Sequence, residues 1–440
     1  MHTILRFSLF FFLMTMMPLA LLAQELYTGR VLDASTELPL EGVTITASTG
    51  SQAISNDNGF FSLSAPGGIK RLSFSYVGYK GQSITNPDPS QELRVLLQPG
   101  AANLQEVVIT GYETNRPLLQ TAGALSLIER EVIERFEEGS LVRAVNTVPG
   151  VRMEERAPAS YRLSIRGSTL RSPYGIRNVK VYYDGIPLTE ANGTTALNLL
   201  DAGNVGSIEI LKGPTGSIYG AGTGGTVLLE PHRAAPGEKQ LQVGATVGSY
   251  GFRRQTASVS TGSEKSNILV QYTRQQYDGY REQSAIDRDV LLISSEFYTS
   301  EKRTIGANII YSDLYYELPG GLTQEQYEQD PRQARGGMFG SVKQNASMNL
   351  EGINVGLKQE YRFTDNFRNT TSVYGLHRFK DHPFNTDYER NTNQELGGRT
   401  SFVYDTSLGA VGATFTLGGE FQRGFEAART YDNNEGTPGN

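Results

Sequence analysis

Residues 211–229, LKGPTGSIYGAGTGGTVLL, are the part of the sequence closest to a chemistry-bearing motif. Gly220, Gly222 and Gly225 satisfy G-x-G-x-x-G after the apolar run Val205–Ile210, a pattern that cradles a dinucleotide pyrophosphate when a helix follows. Here TVLLE (Thr226–Glu230) is β-branched and apolar and runs into Pro231, so a strand is expected and no helix N-terminus is available for a phosphate. A Walker loop fails too, because Lys212 precedes the glycines and no GK[ST] occurs. The glycines instead suit tight turns and close backbone packing in a confined space. Other reactive groups are sparse. The four histidines are His2, His232, His377 and His382, and the last two flank a loop-like segment without helical H-x-x-x-H spacing. Tyr161, Ser164 and His232 make no base–nucleophile pattern. Asp57 lacks the downstream Glu of a calcium loop. The absence of cysteine excludes disulfides, thiolate metal sites, iron–sulfur clusters and a cysteine nucleophile. No catalytic residue, metal or cofactor is expected, and the formal net charge of −6 offers nucleic acid no basic footprint.

The rest of the sequence speaks to targeting and fold. The first 23 residues combine Arg6, the mostly apolar Phe7–Met14 and a small Ala23 before Gln24, which reads as an export signal. Beyond them no apolar run is long enough for a spanning helix, whereas a transmembrane β-barrel, whose strands are half polar, stays open. Residues 24–98 show short alternating segments: Tyr27–Ala34, Glu41–Ser48, Arg71–Tyr79 and Leu93–Leu97. With Asp57–Asn58–Gly59 supplying a hairpin turn, they predict a β-sandwich. A linker, 99–115, contains LQEVVITG, a β-prone island whose backbone groups could take a partner strand. Residues 116–231 read as α+β. A helix is expected over Ser126–Phe136, a second around Leu141, Val142 and Val145, and then three strand-like segments ending in glycine turns.

Two resemblances emerge from the residues. The pattern G-x-V-x-D, P-L-x-G-V-x-I, D-x-x-G-x-F and V-G-Y within 24–98 resembles the carboxypeptidase regulatory-like domain, a module without the zinc ligands of the peptidases. Within 116–231, VPGV (Val148–Val151), SIRG (Ser164–Gly167), VYYDGIPL (Val181–Leu188), IEILKGP (Ile208–Pro214) and IYGAGTGGTV (Ile218–Val227) resemble, in order, the plug domain of TonB-dependent outer-membrane receptors. That resemblance implies a barrel lumen as the confined space around the glycines. It also implies a TonB box at Leu104, Gln105, Glu106, Val107, Val108, Ile109 and Thr110, pairing with TonB by strand addition.

The remainder, 238–440, alternates as membrane strands do: Leu241, Val243, Ala245 and Val247; Ile305, Ala307, Ile309 and Tyr311; Ile353, Val355 and Leu357; Ala413, Phe415 and Leu417. Tyr and Phe gather at strand ends, where an aromatic girdle lies. Short turns near 262–266, 299–303, 364–366 and 405–409 alternate with long segments at 278–288, 315–343, 379–395 and 423–440. This predicts about nine strands of an outer-membrane β-barrel with loops segregated by length, an odd number that reads as a chain stopping mid-barrel. The fold class is thus mainly β: a β-sandwich, an α+β plug, and the first strands of an antiparallel transmembrane barrel, which the family closes with about 22 strands.

The resemblance implies an importer in the outer membrane of a Gram-negative bacterium. Its partners would be TonB with the inner-membrane energising complex, outer-membrane lipids and a scarce small ligand. The loop Leu318–Ala334 resembles a segment of the ferric-citrate branch, so Leu318, Pro319, Gly320 and Gly321 are candidate ligand residues for an iron chelate. Arg171, Tyr174 and Arg177 join them, since arginine suits an anionic chelate and the plug segment is expected to face outward. Pairing of these arginines with acids of the barrel wall is an equal alternative. Import of a glycan or a cobalamin-like ligand beside a surface lipoprotein, and a non-transporting adhesin, are the competing readings.

Overall fold

The computed structural model describes residues 24–439 except 67, 77, 80, 99–107, 114–115, 118–120, 122, 137–138, 172–174, 221 and 410. The export signal and Leu104–Val107 lie outside the described residues. Two units divide the chain, Met1–Val107 and Val108–Asn440.

The first unit holds β1 (Gln24–Asp33), β2 (Thr44–Ala47), β3 (Gln52–Ile54), β4 (Phe60–Pro66), β5 (Arg71–Ser75), β6 (Gln82–Thr85) and β7 (Leu93–Leu97). They form two sheets, ordered β4-β1-β7 and β3-β2-β5-β6. Alternation sends Tyr27, Val31, Ile45, Phe61, Leu63, Leu72, Phe74, Val95 and Leu97 into one core, with Phe61 and Phe74 edge to face at 5.5 Å. This is the expected sandwich. The turn at Asp57–Gly59 exists, and Gly59 has φ +70°. It does not close a hairpin, however: β3 pairs with β2 and β4 with β1, so the turn carries the chain from one sheet to the other.

The second unit opens with β8 (Val108–Ile109), paired antiparallel with β9 (Arg116–Pro117). The plug comes next: β10 (Leu125–Glu129), α1 (Arg130–Glu134), α2 (Val142–Val145), β11 (Val151–Glu155), β12 (Tyr161–Ile165), β13 (Val179–Tyr183), β14 (Ile186–Pro187), β15 (Ser207–Lys212), α3 (Gly216–Tyr219) and β16 (Gly225–Glu230). One sheet runs β10-β15-β16-β13-β14, and β11 with β12 makes a separate hairpin. The helix expected over Ser126–Phe136 is a strand in its first half. Leu125–Glu129 pairs with Leu211–Ser207, and this ladder outweighs the helical spacing of Ile128, Val132 and Ile133. The glycine stretch leads into β16, a strand. At Gly225, with φ +138°, an added Cβ would stand 2.1 Å from the Leu211 carbonyl oxygen, so close packing against β15 requires the glycine.

The wall is one antiparallel sheet of β17 (Lys239–Val247), β18 (Arg253–Gly262), β19 (Ser266–Tyr277), β20 (Ile286–Ser300), β21 (Arg303–Glu317), β22 (Ser347–Thr364), β23 (Phe367–Pro383), β24 (Asp387–Leu408), β25 (Val411–Asn434) and the two-residue β26 (Thr437–Pro438). Nine of these are long, as the alternation predicted. Every second side chain is apolar and exposed on one face, including Leu241, Val243, Val259, Val270, Ile305, Val355, Leu357, Leu396, Leu417 and Phe421. The other face turns to the plug. No helix among the described residues is long and apolar enough to cross a membrane. At the short-turn rim, Tyr361, Phe363, Phe367, Phe402 and Tyr404 contact one another ring to ring, an aromatic girdle built from three strands. Two expected long loops are absent. Residues 379–395 belong to β23 and β24, joined at 384–386, and 423–434 continue β25. These ends carry charged pairs, Lys380–Glu389 and Arg390–Asp381, so their polarity mimics a loop in sequence while the ladder persists. The long connection that does form, 318–346, contains α4 (Gln324–Gln329), started by a Thr323–Gln326 capping box.

Candidate functional site

The wall's inward parity places polar and charged side chains opposite acids on the plug. Asp201, at 0% exposure, accepts from Arg254 of β18 at 2.7 Å and from Arg288 of β20 at 2.9 Å. Arg288 also donates to the Gly139 carbonyl and to Gln275 Oε1. Asp184, just after β13, accepts from Asn308 of β21 at 2.7 Å, from Arg233 at 2.8 Å and from Lys358 of β22. Arg233 in turn reaches Glu230 at 3.2 Å and Glu296 of β20 at 3.0 Å. Burial would raise Asp184, but Lys358 and Arg233 hold its carboxyl below the usual range. Glu230 goes the other way: burial, then the Asp184 charge, push its pKa up. A third group joins Glu190 to Arg378 and to Asn393 Nδ2 at 2.6 Å, while Glu395 accepts from the Ala191 N–H at 3.0 Å and Gln422 at 2.6 Å. In a fourth, Glu420 of β25 meets Lys180 at 2.6 Å and the Tyr182 hydroxyl at 2.9 Å. Between these groups apolar knobs enter glycine gaps: Ile186 faces Gly356 and Leu199 faces Gly352.

A cavity of about 580 Å³ lies between the tip of the β11–β12 hairpin and the rim that carries the long connection. Its size falls within the small-molecule range. The lining brings three arginines (Arg156, Arg281, Arg288) and five aromatic rings (Tyr161, Phe252, Tyr250, Tyr277, Tyr280) together with one acid, Glu155. Glu155 is engaged locally, accepting the Ala159 N–H at 2.7 Å. Arg281 donates from Nε and one terminal nitrogen to the Gln333 carbonyl and from the other to the Gly320 carbonyl at 2.9 Å, so it ties 318–346 over the cavity. Arg332 completes the tie, stacked against the rings of Tyr250 and Tyr280. Arg281→Ala is therefore expected to release this connection. Trypsin cleavage at Arg332 and Arg335 should accelerate by about tenfold, the factor for roughly 1.4 kcal/mol of lost closure. An unchanged cleavage rate would exclude the tie.

The candidate residues from sequence distribute unevenly. Pro319 lines the cavity and the Gly320 carbonyl is held by Arg281. Leu318 packs beside a buried cluster of Ala159, Leu199, Ile286 and Leu314. Gly321 is exposed. Arg177 is exposed and is not part of the cavity lining, Arg171 ends a short turn Ser168–Arg171, and Tyr174 lies outside the described residues. Of the strand-addition segment, Val108 and Ile109 are paired with β9, so that part is not an unpartnered edge. Sequence reading missed Asp184, Asp201 and Arg288; the available signal was a lone acid inside the apolar run ALNLLDAGNV and the polar parity of β19 and β20.

Downstream of β8 the chain is held at several points. The Glu209 carboxylate, from the middle of β15, accepts the Thr110 N–H at 2.8 Å, the Thr110 hydroxyl at 3.1 Å and the Gly111 N–H at 2.8 Å. Burial raises its pKa, and those three bonds offset part of the shift. Glu113 pairs with Arg399 of β24 at 2.7 Å, and Arg399 lies over the rings of Tyr182 and Tyr219.

Comparison with known proteins agrees with this architecture. Residues 27–109 match the family described as CarboxypepD_reg-like domain, and residues 117–227 match the TonB-dependent Receptor Plug Domain. A stretch of 117 residues is 26% identical to the vitamin B12 transporter BtuB of Vibrio vulnificus (strain CMCP6), covering 26% of this chain and 18% of that protein. Another of 157 residues is 26% identical to the ferric-pyoverdine 358 receptor of Pseudomonas putida, covering 35% and 18%. The unliganded ferric citrate transporter FecA superposes with TM-score 0.61 at 18% identity, over 74% of this chain and 51% of that one. The open form of the ferric-catecholate import receptor Fiu from E. coli K12 gives 0.57 at 17% identity, over 74% and 53%. The matched region thus spans about half of these solved chains and 18% of each of the two curated relatives. The chain thus carries a TonB-dependent receptor plug domain at residues 117–227, a CarboxypepD_reg-like domain at residues 27–109, and a wall of strands with the fold of these receptors.

Proposed function

We propose that this protein imports a small anionic ligand, an iron chelate of the siderophore or ferric-citrate kind, across the outer membrane. The cavity carries the reading: Arg156 and Arg281 with five aromatic rings, against one locally engaged acid, suit a compact anionic chelate with planar donor groups, while the charge of Arg288 is already met by Asp201. The names of the ferric-pyoverdine receptor and of FecA support iron as cargo. The apolar outward face of β17–β25 supports contact with outer-membrane lipid. Leu104–Thr110 is the segment that TonB, driven by its inner-membrane complex, pairs with and pulls. The chain itself performs no covalent step in this scheme. Cobalamin is the second reading, favoured by the likeness to BtuB.

The test is uptake by iron-limited cells, using labelled ferric citrate, ferric siderophores and cobalamin in parallel. Deleting Leu104–Thr110 from the full-length protein should leave ligand binding intact and abolish energy-dependent uptake. Cobalamin uptake lost in place of iron uptake would select the second reading. Uptake untouched by the deletion would remove the importer reading and leave a binding protein or adhesin.

A further inference from the structure

The segment after β8 is fastened twice within four residues, and the two fastenings end on different parts of the molecule. Thr110 and Gly111 give their N–H groups, and Thr110 its hydroxyl, to Glu209, whose side chain is 3% exposed. Gly111 fits tightly there, since an added Cβ would stand 2.8 Å from Leu125 and 3.3 Å from the Glu209 carboxylate. The Tyr112 N–H donates to the Tyr219 hydroxyl at 3.0 Å. Glu113 is then held by the wall: Arg399 pairs with its carboxylate, Ser401 donates to it at 3.2 Å, and Arg368 donates to its carbonyl at 2.8 Å. Tyr112 and Glu113 both sit in the left-handed region, at φ +62° and +59°, which non-glycine residues leave unless their surroundings hold them.

The order of these fastenings along the chain decides what a pull encounters. From Ile109 the first is Glu209, on the plug; the second is Glu113, on the wall. β15 is flanked on both sides, with Glu209 opposite Leu127 of β10 and Leu228 of β16. Beyond both fastenings the chain continues into β10, the edge strand of that sheet, which among the described residues is joined only to β15. Load arriving at β10 alone would peel five residues from an edge, one pair after another. Load held by Glu209 is instead delivered into the middle of the sheet, where two ladders resist together. The same logic applies to β8, whose two-residue ladder to β9 includes Pro117, a residue with no N–H to give, and is easily exchanged for another strand.

We propose that Thr110–Glu113 is a clasp that keeps the plug seated. In it, Glu209 is the positioning residue that sets how readily the preceding segment detaches and at what load β10 begins to leave. The proposal deepens the importer reading above, in which that segment is the one pulled. It goes beyond that reading by assigning a buried plug carboxylate, distant in sequence from the pulled segment, as its tether.

The experiment takes advantage of the cysteine-free sequence. A single cysteine replaces Val108 in the full-length protein in vesicles, and its reaction with a soluble maleimide is timed without ligand. Glu209→Gln keeps the volume but replaces one acceptor oxygen by a donor facing an N–H. It should raise the labelling rate by about tenfold, the loss expected for one hydrogen bond to a charged acceptor, and lower the first rupture force when a handle at Leu104 is pulled. Thr110→Val, which removes only the hydroxyl bond, should raise labelling by a smaller factor, and Glu113→Gln should act on the second rupture event. Affinity for ligand should be unchanged in all three. Wild-type labelling and rupture in a folded Glu209→Gln protein would overturn the proposal. If that variant fails to fold, wild-type behaviour of both Thr110→Val and Glu113→Gln would overturn it equally. Neither readout needs transport: normal uptake after deleting 104–109, which spares Thr110, would remove the importer reading and leave the clasp standing, whereas unchanged labelling with uptake abolished by that deletion would do the reverse.

Discussion

Replacing Asp201 by alanine is expected to destabilise the plug by about 3–5 kcal/mol, the cost of breaking a fully buried ion group by removing one partner. The carboxylate has no exposure, and the two guanidinium groups on it, Arg254 and Arg288, are 3% and 2% exposed. Without it, two buried cations lose the carboxylate they share. Glutamine side chains nearby, Gln271 and Gln275, can accept hydrogen bonds but cannot neutralise either arginine. Asp201→Asn should cost less, because the amide oxygen still accepts one bond. The measurement is the urea concentration at which trypsin begins to cut within 116–231 while the wall stays intact. A midpoint equal to that of the unmodified protein would show that the wall arginines find other partners at no cost.

Arg233→Ala is the second large effect, and its size should depend on pH. Arg233 holds Asp184, Glu230 and Glu296 together, with Lys358 as the other cation of the group. Its side chain is 32% exposed, so solvent screening brings the expected loss down to about 2–3 kcal/mol at neutral pH. Glu230 already has a raised pKa, from burial first and then from Asp184, and Arg233 is one of the groups that lower it. An acid whose folded pKa is raised stabilises the fold below its unfolded value, because the folded state keeps the proton. That advantage is lost as pH climbs through the folded pKa. Removing Arg233 raises Glu230 further, so the variant should lie closest to the unmodified protein near about pH 5 and fall furthest behind near about pH 8. Trypsin midpoints taken at both values decide it. A loss that shrank towards pH 8 would contradict the assigned role of Glu230.

Much of the architecture was legible because it depends on short-range pattern. Parity in 353–363 and 413–421 alone gives a strand with one apolar face, and the turns at 263–265 and 365–366 carry their own Ser, Asp and Asn signals. The misreadings came where a ladder overrode local preference. Leu125–Glu129 has helical spacing but a partner in β15, and Asp387–Arg390 looks like a loop but extends β24 above the apolar band. The binding region was half legible. Pro319 and Gly320 came from a recognisable segment, whereas Tyr250, Arg281 and Arg156 reach the cavity from three distant connections. The plug-to-wall pairs were beyond reach for the same reason: Lys180 and Glu420 are 240 residues apart, and nothing local to either announces the other.

The fit of Ile186 into the gap at Gly356, and of Leu199 at Gly352, bears on how the plug finds its place against the wall. Both gaps lie on β22 alone, four residues and so two inward-facing positions apart. A Cβ at Gly356 would come within 2.3 Å of Ile186, and the strands on either side offer that knob the larger Asn308 and Tyr374 on their inward faces. The lumen is therefore keyed, like a detent that accepts a shaft at one angle. At another height or azimuth Ile186 would meet these larger side chains, and the setting that fits it is also the one that brings Asp184 to Lys358.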